Sequence, residues 1–72
     1  MLIFSKRLKE LRLSKNISQK KIAEALNIAD RQYRRYENNE VDTPLTFAYN
    51  VANYFNVSLD YLVGRSDDPT RH

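Results

Sequence analysis

Between Ser18 and Asn39 the chain carries two short helical patterns, residues 19–26 and 30–38, separated only by Asn27-Ile28-Ala29. Two short helices joined by a three-residue turn cross at a sharp angle. The second bears Arg31, Arg34 and Arg35. A short helix held this way, with basic and amide side chains outward, has the shape and chemistry to enter a DNA major groove. The remainder of the chain then reads as the scaffold that holds this helix in place.

Seventy-two residues suffice for one small domain. With no Cys and no Trp, the core must come from Leu, Ile, Val, Ala, Phe and Tyr. The lack of Cys excludes disulfides and thiolate metal sites and fits a reducing compartment. No apolar run approaches the roughly 20 residues that span a bilayer. Met1-Leu2-Ile3-Phe4 is too short for a signal peptide and is soon interrupted by Lys6. The expectation is a cytoplasmic protein.

Net charge is +3, but it is unevenly distributed. Residues 1–35 hold ten Lys or Arg against Glu10, Glu24 and Asp30, a surplus of +7. Residues 36–72 hold Arg65 and Arg71 against six acids, a deficit of −4. A basic half that contains the paired helices is the footprint of a phosphate-contacting face.

The spacing predicts an all-α chain of five helices. The first covers about residues 6–15, with Ser5 as N-cap and Leu8 and Leu11 on one face. The second follows the N-cap Ser18 and buries Ile22, Ala23 and Leu26. The third buries Tyr33 and Tyr36. The fourth opens with Thr43 as cap and Pro44 at the first helical position, and runs to Phe55. The fifth follows the N-cap Ser58 and is stopped by Gly64. Residues 65–72 form a polar tail, containing Pro69, that is expected to be flexible. With a single Gly in the chain, Asn16, Asn27, Asn39 and Asn56 take the left-handed positions just past the helix ends.

Four stretches resemble the Cro/lambda-repressor-like helix-turn-helix family, also called the XRE family. They are Arg7-Leu8-Lys9-Glu10-Leu11-Arg12, Ser18 to Leu26 (SQKKIAEAL), Arg35-Tyr36-Glu37-Asn38 and Val57-Ser58-Leu59-Asp60-Tyr61-Leu62. Their order and spacing are specific, and they reach from about Phe4 to Gly64. The resemblance implies a compact five-helix DNA-binding domain over residues 1–64, with the helix-turn-helix at helices 2 and 3.

The resemblance also assigns roles. Gln19, first in the second helix, would hold a DNA phosphate and brace the recognition helix; its place at a helix N-terminus agrees with that role. Asp30, Arg31, Gln32 and Arg35 match the family's base-reading positions. Arg can donate twice to guanine, Gln can pair with adenine, and Asp can accept from cytosine. Asn38 matches a backbone-binding position, and Ser18, Lys20 and Arg34 join it as phosphate candidates, with Lys6, Lys9 and Lys21 as looser ones. Arg34 lies four residues after Asp30, so an ion pair within the helix competes for both. Arg12 and Glu37 match a buried structural pair.

The chain departs from the family pattern in two places. Ala29 replaces the usual Ser or Thr cap of the third helix, which offers Asp30 as a substitute cap. Phe47 and Ala48 alter the usual small-polar and large-apolar order in the fourth helix.

Tyr54, Val57, Tyr61, Leu62 and Val63 concentrate apolar surface near the C-terminal end, and the resemblance implies a homodimer formed there. The leading reading is a sequence-specific double-stranded DNA-binding regulator, a dimeric repressor on a two-fold operator. The alternative is an antitoxin or adaptor that grips a protein partner with the same fold. An enzyme is disfavoured: His72 is the only His, and there is no Cys and no Gly-rich phosphate loop. No cofactor and no metal is expected.

Overall fold

The computed structural model describes residues 2–71. Its regular elements are five helices: α1 (Leu2–Ser14), α2 (Gln19–Ala25), α3 (Asp30–Glu37), α4 (Leu45–Phe55) and α5 (Leu59–Leu62). α2 packs on α3 to form the angled pair, and α1 lies behind both it and α4–α5. No helix among the described residues is long and apolar enough to cross a membrane.

All five helices stop in the same way. Asn16, Asn27, Asn39 and Asn56 have φ between 55° and 59°, and Gly64 has φ +86°. One residue beyond each, a backbone N–H reaches back five residues: Ile17 to Arg12, Ile28 to Ala23, Glu40 to Arg35, Val57 to Ala52 and Arg65 to Asp60, at 2.8–3.2 Å. These are Schellman ends, which satisfy carbonyls that would otherwise be orphaned. Ile17, Ile28 and Val57 also turn apolar side chains inward there. The Asn residues thus do the work that a glycine does elsewhere, and at Gly64 a side chain would be strained by the positive φ and would push the Ile3 side chain aside. A Cβ at that position would lie 2.9 Å from the Ile3 Cγ2.

Helix starts agree less evenly with expectation. Ser18 and Ser58 are side-chain caps, accepting from Lys21 N and Tyr61 N at 3.0 Å. Ser5 is not a cap. α1 begins at Leu2, and Ser5 is buried inside it, where its hydroxyl donates to the Tyr36 carbonyl at 2.7 Å. Burial of Phe4 against the core carries the helix past the polar signal at Ser5. Pro44 rather than Thr43 caps α4, because its extended backbone (ψ 145°) starts the helix one residue later.

Phe47 is the hub of the core. Its ring stacks on Tyr36 at 4.3 Å and meets Phe4 and Tyr33 edge-on at 6.0 and 6.4 Å. One residue of α4 therefore ties together α1 and α3, and its neighbour Ala48 is also buried.

The C-terminal segment carries contacts that its polar composition does not suggest. The Arg7 guanidinium donates to the Tyr61 carbonyl, to the Ser66 carbonyl at 2.7 Å and to the Asp67 carboxylate at 2.8 Å, and lies 4.2 Å over the Tyr61 ring. Ser58 N–H donates to the Pro69 carbonyl at 2.9 Å, and Arg71 donates to Asn53 at 2.7 Å. Residues 65–71 are thereby folded back on α4 and α5; His72 lies outside the described residues.

Candidate nucleic-acid interface

Arg31, Arg34, Arg35 and Asn38 stand at positions i, i+3, i+4 and i+7 of α3, which at ~100° per residue places all four on one face. All four are exposed. The opposite face, Tyr33, Tyr36 and Glu37, is buried. The helix is therefore fixed by one side and open on the other. With Glu40, these four residues line one shallow depression.

The fixing is polar as well as apolar. Arg12 Nε donates to Glu37 Oε2 and Arg12 Nη2 to Glu37 Oε1, both at 2.9 Å, while Nη1 donates to the Ile17 carbonyl at 2.9 Å. A planar guanidinium suits this two-bond arrangement. Gln19 Nε2 adds a third donor to Glu37 Oε1 at 3.2 Å. Burial opposes ionisation of Glu37, but the bonds from Arg12 outweigh it and hold the carboxyl below its ordinary pKa. The same bonds raise the pKa of Arg12 further. The Tyr33 hydroxyl is enclosed beside this pair, without a hydrogen bond of normal geometry, and burial next to the Glu37 charge pushes it well above the phenol range. One carboxylate thus joins α1, α2 and α3.

The expected site residues occupy distinct positions around α2 and α3. Ser18 is committed to its cap, and Lys20 is exposed beside it. Gln19 is half-buried and turned toward Glu37, so it braces α3 from the start of α2. Arg31 and Arg35 are exposed at the centre of the open face. Gln32 is half-buried on the flank. Asp30 does not cap α3: the cap position is Ala29, with no side-chain bond, and Asp30 is the first helical residue. Its Oδ2 lies 3.7 Å from Arg34 Nη2, the competing ion pair within the helix. Asn38 is exposed past the last turn, and its amide donates to Glu40 Oε2 at 3.3 Å.

Two residues at these surfaces carry no signal in a linear reading. Glu40 joins the arginine face only because the left-handed Asn39 turns the chain back on α3. Arg7 finds its partners 54–60 residues away.

The expected apolar patch is corrected by burial. Val57 and Leu62 are core residues, 7% and 0% exposed, and Tyr61 is half-buried under Arg7. The residues of α5 and its flanks cannot all face outward, because so short a helix uses its apolar side chains to close the core. Tyr54 of that patch is exposed, and with Leu45 and Tyr49 it gives α4 three exposed apolar side chains, beside Leu2, Ile3 and Leu13 on α1. Leu45 and Tyr49 line a shallow apolar depression with Leu59.

Comparison with known proteins places this geometry in a family. The family described as helix-turn-helix matches residues 8–62. The uncharacterized HTH-type transcriptional regulator YobD of Bacillus subtilis is 33% identical over 67 residues, covering 93% of this chain and 60% of that protein. The HTH-type transcriptional regulator ImmR of the same organism is 39% identical over 62 residues, 86% of this chain and 49% of that protein. The SPbeta prophage-derived uncharacterized HTH-type transcriptional regulator YonR is 34% identical over 61 residues, 85% of this chain and 56% of that protein. The chain spans about half to three-fifths of the length of these relatives. No solved structure matches at a significant level. With its five helices and its α2–α3 pair, the chain belongs to the helix-turn-helix family of the Cro/lambda-repressor (XRE) type.

Proposed function

We propose that this chain is a sequence-specific double-stranded DNA-binding transcriptional regulator that inserts α3 into the major groove. The observation that carries the reading is the single exposed face of Arg31, Arg34, Arg35 and Asn38 on a helix whose other face is locked in the core. The relatives' names, as transcriptional regulators, point the same way. Arg31 and Arg35 read bases, since each guanidinium can donate twice to guanine O6 and N7. Asp30 and Gln32 border them as secondary readers. Ser18, Gln19, Lys20, Arg34 and Asn38 contact the backbone, with Gln19 transmitting the position of α2 to α3 through Glu37.

The regulator acts as a dimeric repressor on a two-fold operator. A single module of this size covers little DNA, and pairing two half-sites supplies the missing affinity. The exposed apolar side chains of α4, rather than Val57 and Leu62, offer the surface for a second copy. Its location is the cytoplasm, where such an operator lies.

Salt dependence tests the reading. Affinity for duplex DNA should fall linearly on a log–log plot, with a slope near −0.9 for each phosphate neutralised. Absence of binding to any duplex, or binding indifferent to salt, would refute it. An adaptor that grips only protein would give the first of these results.

A further inference from the structure

The open face of α3 is not uniformly basic. Glu40 stands at its C-terminal edge, in the same depression as Arg31, Arg34, Arg35 and Asn38. Its backbone is fixed there, because Glu40 N–H donates to the Arg35 carbonyl at 2.9 Å as part of the Asn39 turn. Its carboxylate accepts from the Asn38 amide at 3.3 Å. A side chain proposed to contact phosphate is therefore already engaged by an anion belonging to the chain itself.

We infer that Glu40 is an affinity-limiting residue of the DNA interface, competing with the DNA backbone for Asn38 and repelling the phosphates that approach the arginine face. The inference rests on the proposed DNA-binding reading. Two effects act in the same direction. Before Asn38 can donate to a phosphate, its bond to Glu40 must be exchanged. Once it is exchanged, a carboxylate remains beside a polyanion, and like charges brought together at a binding surface disfavour the complex. The penalty applies to every duplex, so base contacts by Arg31 and Arg35 must make up the difference before a complex persists. Asp30 holds Arg34 in a comparable way at 3.7 Å, but Asp30 is also a base-reading candidate. Glu40 is the carboxylate whose contribution can be measured without that ambiguity.

Glu40→Gln removes the charge and retains an oxygen that can accept from Asn38. Glu40 is exposed, so the substitution leaves the core untouched. The experiment measures affinity for a random-sequence duplex, at several salt concentrations, for the native chain, Glu40→Gln and Glu10→Gln. Glu10 lines a different depression, with Tyr61 and Asp67, and its substitution makes the same change in net charge. Glu40→Gln should bind about three- to tenfold more tightly at low salt, with the gain shrinking as salt rises, because a Coulombic penalty is screened. Glu10→Gln should change affinity less than about twofold, as expected for a distant exposed charge. If the native chain binds and Glu40→Gln is no tighter, or Glu10→Gln gains equally, the role of Glu40 is overturned while DNA binding stands. If none of the three proteins binds, both readings fall.

Discussion

The Arg12 guanidinium and the Glu37 carboxylate face each other edge to edge, joined by two hydrogen bonds of 2.9 Å, with Glu37 almost wholly enclosed. This pair sets the orientation of α3 on α1 without touching the open face. Its removal should therefore act on folding before it acts on DNA. Arg12→Ala leaves a buried carboxylate unpaired and should cost about 3–5 kcal/mol. In a domain of this size that lowers the melting temperature by well over 10 °C, at about 4–8 °C per kcal/mol. An unchanged melting temperature would refute the structural role.

The same pair predicts an acid response. The Glu37 pKa in the folded chain lies below its ordinary value of 4.5, so between those two values the unfolded chain binds more protons. Stability from this group is complete above the unfolded pKa and is lost as pH falls through the folded one. Thermal melts from roughly pH 6 to pH 3 should show a decline that is shallower in Glu37→Gln, which has no proton to gain. Equal slopes would show that Glu37 is not the group responsible.

Asn27 holds the turn between the two paired helices at φ 59°. Asn27→Val forces a β-branched residue into the left-handed region, at about 1–2 kcal/mol. The melting temperature should fall by roughly 5–15 °C. Asn27→Gly, which enters that region freely, should change it little. A Val variant as stable as the Gly variant would contradict this account of the turn.

The asparagine turns were legible in the sequence because they are local: each depends on one residue and its neighbours in the chain. The α2–α3 pair, the inward tyrosines Tyr33 and Tyr36, and the Arg12–Glu37 contact were legible for a related reason, since helical periodicity and the family pattern both mark them. What periodicity cannot carry is the competition among apolar residues for a limited core. That competition draws α1 back to Leu2 and encloses Ser5, and it takes Val57 and Leu62 out of the expected dimer patch. Glu40 and Arg7 escaped notice for the opposite reason. Glu40 reaches its near neighbours Arg35 and Asn38 only through the left-handed turn at Asn39, and Arg7 meets partners 54–60 residues away.

Arg7 offers its own test. It anchors residues 61–67 through two carbonyls and a carboxylate. Arg7→Ala should lower the melting temperature by about 5 °C or more and speed tryptic cleavage after Arg65, followed by mass spectrometry. Cleavage at the native rate would mean that the segment is held by its other contacts alone.

The claim that the open face of α3 reads DNA sequence is tested most directly by selection from a pool of random duplexes, with the native chain and Arg31→Ala in parallel. The native chain should enrich one motif, arranged as two symmetric half-sites if the dimer forms. Arg31→Ala should lose preference at one position of each half-site, at about 1–3 kcal/mol, and keep the rest. A native chain that enriches no motif, or a motif left intact in Arg31→Ala, would contradict it.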